Sequence, residues 1–136
     1  MVKVGRGIRN NNPGNIDRTS IKWKGMAADQ SSDPRFVVFT KPEWGIRAIA
    51  RILMGDWREG QNTIASLIEE WAPPTENNTV AYVKAVGKAC GVDPYQPCDI
   101  PSLLPKLIPA IVQHENGYQP YSKELIQLGI DLEKHS

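Results

Sequence analysis

Cysteine and histidine are scarce in this 136-residue chain, with two of each: Cys90, Cys98, His114 and His135. Their spacing resembles no zinc site, and neither a metal nor a cofactor is expected. The cysteines bracket the turn-rich Gly91-Val92-Asp93-Pro94-Tyr95-Gln96-Pro97 loop, which either a disulfide closes in an oxidising compartment or two free thiols flank. No apolar run approaches the roughly 18 residues that a membrane-spanning helix needs, so membrane insertion is not expected. Met1-Val2-Lys3-Val4-Gly5-Arg6 is too short and polar for a signal peptide, which predicts a chain that does not export itself. Repeats, low-complexity tracts and linkers are missing too. The length then fits one domain over residues 1–136, large enough to bury a core and expected to act as a monomer.

The net charge is +1, but it is unevenly spread. Up to residue 25 the chain holds Lys3, Arg6, Arg9, Arg18, Lys22 and Lys24 against Asp17 alone, and the remainder is net acidic. Such a basic arm suits nucleic acid or the acidic polymers of a bacterial wall equally well. With no helix-turn-helix and no aromatic-basic motif beside it, nucleic acid is not the expected partner.

The segment from Leu104 to Gly117 reads as an apolar helix that stops at the glycine and leaves Glu115 on its last turn. Unpaired carbonyls make a helix C-terminus partially negative, so a carboxylate there is disfavoured and the acid holds its proton more readily. A carboxyl that keeps its proton is a general acid, the group that glycosidic cleavage needs at the leaving oxygen. The alternative is a solvated Glu beside a helix-ending Gly.

Residues 5 to 20, rich in Gly and Asn around Pro13, predict a loop. Ile21-Lys22-Trp23-Lys24 and Arg35-Phe36-Val37-Val38-Phe39 are runs of strand formers separated by turn residues, which predicts a hairpin. Helical periodicity begins at Pro42 with Trp44, Ala48 and Ile52 on one stripe, Thr40 as candidate N-cap, and an end at Trp57. Thr63 caps a second helix, Ile64 to Trp71, which Pro73-Pro74 ends. A third runs from Thr79 to Ala89 behind an Asn78 cap. Pro101 opens a fourth, which carries Leu104, Leu107, Ile108, Ile111 and Val112 to Glu115 and which Pro109 should kink or split. The last spans Ser122 to Glu133. The expected class is therefore mainly α (α+β), a helical domain with a small β-hairpin lobe.

Three pieces together carry a resemblance. His114-Glu115-Asn116-Gly117 resembles the motif with which lysozyme-superfamily enzymes place their catalytic acid at a helix end. Asn11-Asn12-Pro13-Gly14-Asn15-Ile16, then Trp23-Lys24-Gly25, Arg35 to Phe39 and Gly45-Ile46-Arg47-Ala48 are similar to the Asn-rich loop, hairpin and following helix of flagellar-type glucosaminidases and related lysozyme-like domains. Trp71-Ala72-Pro73-Pro74 through Tyr82 is similar to the segment before that family's site Tyr. In those enzymes the acid-bearing helix precedes the Asn-rich loop, whereas here it follows, so the resemblance implies a circularly permuted lysozyme-like domain. The Asn-rich opening also resembles small phage proteins, some of them virion structural proteins.

The resemblance implies cleavage of the β-1,4-linked glycan strands of peptidoglycan by a phage or otherwise delivered lysin, a lytic transglycosylase or muramidase. Such a protein is made in the host cytoplasm and reaches the periplasm or wall by delivery, or travels with the virion. The alternative is a non-catalytic virion structural or wall-binding protein. Lysozymes that use a second carboxylate carry it on the hairpin, where Asp29 and Asp33 match no motif, so a single acid, Glu115, is expected to protonate the leaving oxygen and then act as base. Tyr82 is expected in the groove, unless it merely packs. Asn12 and Asn15 either bind sugar hydroxyl and N-acetyl groups or only shape the turn. Glu76, with Thr79, joins the substrate-binding set as a sugar-binding or capping acid and as the rival general acid. Trp23, Trp44, Trp57 and Trp71 can stack on sugar rings, Trp44 more plausibly on the core. His114 cannot share the helix face of the adjacent acid.

Overall fold

The computed structural model describes residues 5–75 and 77–135. A short α1 (Arg6–Arg9) opens an irregular segment, and α2 (Pro42–Arg58), α3 (Ile64–Trp71), α4 (Thr79–Cys90), α5 (Ile100–Asn116) and α6 (Lys123–Lys134) follow. The helix starts obey local chemistry. Side-chain oxygens of Thr63, Asn78 and Ser122 accept from Ser66 N, Ala81 N and Leu125 N at 3.1, 3.2 and 3.1 Å, satisfying donors that a first turn leaves free. Thr40 does not cap α2. Its hydroxyl donates to Gly25 O, and Lys41 holds the capping position ahead of Pro42.

Helix α2 packs against α5 and α6, α5 also against α4 and α6, and α4 against α3. Ile46, Ile49 and Leu53 of α2 meet Leu107, Ile108 and Ile111 of α5 in a core closed to solvent. Along the seam between α2 and α6 the buried Glu133 carboxylate lies 3.6 Å from Arg51 and 3.8 Å from Arg58. Pro109 does not split α5, which continues as one helix through both internal prolines. Pro101 sits in the first turn, where its missing N–H deletes no helical bond, and Pro105 and Pro109 each remove one bond along a row that is not part of the buried Leu104, Leu107 and Ile108 stripe. Among the described residues no helix is long and apolar enough to cross a membrane.

The expected hairpin lobe is not formed, and the α+β class is corrected to an all-helical fold. The described residues contain no β-strand, only the isolated antiparallel bridges Asp17 to Phe36 and Met26 to Phe39. Residues 35 to 39 spend their backbone groups on two different loops: Val37 N on Ile16 O, Phe39 N on Asn10 O, and Val38 O on Ala27 N. Side chains then take the places of a partner strand. The Gln30 amide donates to Ala27 O and Val38 O and accepts from Val38 N, each at 2.8 Å, and Asn12 Nδ2 donates to Val37 O. Ile21, meant for the first strand, is instead half exposed.

Candidate active site

The last turn of α5 ends at Gly117, whose φ of +80° lies in the left-handed region that glycine enters without a Cβ clash. That turn is bound to the N-terminal loop. Asn116 Nδ2 donates to Pro13 O at 2.8 Å and to Val112 O at 2.9 Å, and Asn15 Nδ2 donates to Glu115 Oε1 at 3.1 Å. Asn15 reaches it with a φ of +51°, a conformation that asparagine tolerates better than most residues. The loop is itself rigid because the buried Asn12 spans it, donating to Ile16 O and accepting from Ile16 N at 3.0 Å each. Asn12 therefore builds the loop and has no amide group left for a ligand.

Glu115 and Asn15 open onto a cleft of about 420 Å³. Trp71 and Phe36 supply its aromatic surface, Ile52 an apolar one, and Asp17, Arg35, Asp56, Glu70 and Asn77 its polar lining. Trp71 fits because Gly14 lacks a side chain, a Cβ there lying 2.7 Å from the indole. Phe36 is held between two guanidinium groups, Arg6 at 4.4 Å and Arg35 at 4.9 Å from its centroid, and Arg35 also pairs with Asp17 at 2.6 Å.

Tyr82 is not on the wall. Its side chain is fully buried under α5, stacked on His114 with ring centroids 3.8 Å apart. Burial first, and then the charge of Glu115, push its phenol well above the ordinary range. The hydroxyl is close enough to feel that carboxylate but meets no partner at full hydrogen-bond geometry. Thr79 is buried as well, its hydroxyl donating to Ala72 O at 2.6 Å. Glu76 lies outside the described residues. Of the tryptophans, Trp71 lines the cleft, whereas Trp23, Trp44 and Trp57 pack partly buried against the core. Asp29 and Asp33 also lie off the cleft, Asp33 buried and engaged by Arg6 and Asn10.

No model of a known protein family matches the chain. It is 36% identical over 133 residues to protein P5 of Pseudoalteromonas phage PM2, an alignment that covers 95% of this chain and 82% of that protein. The chain belongs to the protein P5 family.

The acids around the P5-family cleft differ in how they are employed. Glu70 accepts from Gln61 Nε2 at 2.5 Å, and Asp17 is paired with Arg35. Asp56 was not singled out by the sequence reading, yet a signal for it exists. It continues the Trp44, Ala48, Ile52 stripe by one more step of four, placing a carboxyl at the end of an inward-facing row. Burial, then the charges of Glu70 and Glu59, raise its affinity for a proton. Among the described residues no three His, Cys, Asp or Glu side chains converge as a cation site.

Cys90 and Cys98 are free thiols away from the cleft, and burial pushes the Cys90 thiol up to about 11, which suppresses the nucleophilic thiolate. A Cys90→Ser, Cys98→Ser double variant is expected to lose roughly 1–3 kcal/mol of stability from the buried hydroxyl while staying folded. Thermal melts beside the wild type check this, and an unchanged melting temperature would refute the burial cost.

Proposed function

We propose that this cleft cleaves β-1,4-glycosidic bonds in the glycan strands of peptidoglycan, and that the chain is a circularly permuted, all-helical variant of the lysozyme-like domain delivered to the wall by a phage. The observation that carries the reading is the bond from Asn15 to Glu115, which joins the Asn-rich loop to the acid at a helix end in one cleft. Membership in a phage protein family fits that delivery.

Each group then has a defined task. Glu115 gives its proton to the leaving glycosidic oxygen, and Asn15 fixes the carboxyl through Oε1 so that the other oxygen faces the sugar. Trp71 and Phe36 offer flat apolar faces to the rings. Tyr82, buried behind Glu115, supports the acid from below rather than touching sugar.

Digestion of purified peptidoglycan followed by mass spectrometry tests the proposal. Soluble muropeptides are expected. Glycan left intact by a folded protein would sink the catalytic reading in favour of a virion structural or wall-binding role.

A further inference from the structure

One carboxyl in the cleft has no structural occupation. Among the described residues, Asp17, Asp33, Glu70, Glu115, Asp131 and Glu133 each meet a cation or an amide donor. Among the described residues no hydrogen-bond donor or cation meets the Asp56 carboxyl, although it is half buried and lines the same cleft as Glu115. Burying a carboxyl without a partner costs free energy, and folds retain such groups where the site uses them. The two acids come from separate walls, Asp56 from the C-terminal part of α2 and Glu115 from the end of α5.

The geometry points to Asp56 as a second catalytic carboxylate, the base that takes a proton from a water molecule attacking the sugar while Glu115 protonates the leaving oxygen. This rests on the reading of the cleft as a glycan-cleaving site and narrows it from cleavage in general to hydrolysis. The water oxygen bonds to the anomeric carbon, and the bond from that carbon to the leaving oxygen breaks. One water proton passes to Asp56, and the Glu115 proton passes to the leaving oxygen, so no oxidant or co-reactant is needed. Burial first, and then the negative neighbours Glu70 and Glu59, make Asp56 a stronger proton acceptor than an ordinary aspartate. In a one-acid transglycosylase the sugar's own hydroxyl attacks, and a second carboxylate has no task.

The test is product analysis of purified peptidoglycan digested in heavy-oxygen water by the wild type, Asp56→Asn, Asp56→Ala and Glu115→Gln, with thermal melts as the folding control. The wild type is expected to give reducing-end products carrying the heavy oxygen. Asp56→Asn should lose roughly 10²–10⁴-fold in rate while staying folded. Azide attacks without needing a base, so adding it to Asp56→Ala should restore cleavage and yield a glycosyl azide, which a purely structural residue would not allow. Anhydro products from the wild type, or an unimpaired Asp56→Asn, would overturn the role of Asp56 while leaving Glu115 as the acid. Uncleaved glycan with the folded wild type would overturn both readings together.

Discussion

Replacing Glu115 by Gln should lower the rate on purified peptidoglycan by roughly 10²–10⁴-fold, the range of general acid–base catalysis, with little change in melting temperature. The amide keeps the shape of the carboxyl and still accepts the 3.1 Å bond from Asn15, but it has no carboxylic proton to donate. Folding should survive because a neutral group replaces an acid at a helix C-terminus, where negative charge is unfavourable. Turnover and thermal melts measured side by side check both halves. A folded Glu115→Gln with full activity refutes the assignment, and if Glu76→Gln were then inactive the acid would be Glu76 instead.

The second large effect concerns the scaffold behind the cleft wall. Asp33 is 2% exposed and accepts from Arg6 at 2.6 and 2.7 Å, from Asn10 at 2.8 Å, and from the backbone N–H groups of Arg35 and Phe36 at 2.8 Å each. Asp33→Ala strands these donors and should cost roughly 2–4 kcal/mol, less than a fully buried ion pair because Arg6 is partly in water. Arg6 foremost, then the backbone donors and Asn10, hold the Asp33 carboxyl far below its ordinary value of 3.8. A depressed folded value means that the unfolded chain takes up the proton first. The contribution is therefore complete above about pH 5, and it shrinks as pH falls through 3.8 toward the folded value. Denaturant melts of wild type and Asp33→Ala should differ most at neutral pH and clearly less near pH ~2. An equal difference at both would rule out Asp33 as the source of this pH dependence.

What the sequence discloses depends on whether a signal is local. The Thr63 and Asn78 caps and the Gly117 stop concern backbone groups within one turn, and each helix they bound lies within a residue or so of expectation, whereas Ser122, expected inside the last helix, caps it. Residues 35 to 39 were expected as a strand and form only isolated bridges at Phe36 and Phe39. Gln30, Asn12 and Asp33 replace the partner strand with side-chain bonds that no periodicity encodes. At the site, Glu115 and Asn15 were legible as residue types in a motif, and the structure brings them together. Tyr82 misled because an exposed-face reading of α4 left out α5, whose His114 covers the ring. Asp56 was missed because an acid near a helix end looks solvated until α3 brings Glu70 and Trp71 beside it.

The bond from Asn15 to Glu115 joins positions 100 residues apart in the chain. With the bond from Asn116 to Pro13, which spans 103 residues, it makes the cleft depend on a long loop closure that local helix formation does not help. A ribosome-bound chain that has not yet emerged through α5 has every helix-forming signal of its first half and no assembled acid. The arrangement thus delays assembly of this cleft until α5 has been made, roughly a hundred residues after the loop that forms its other side.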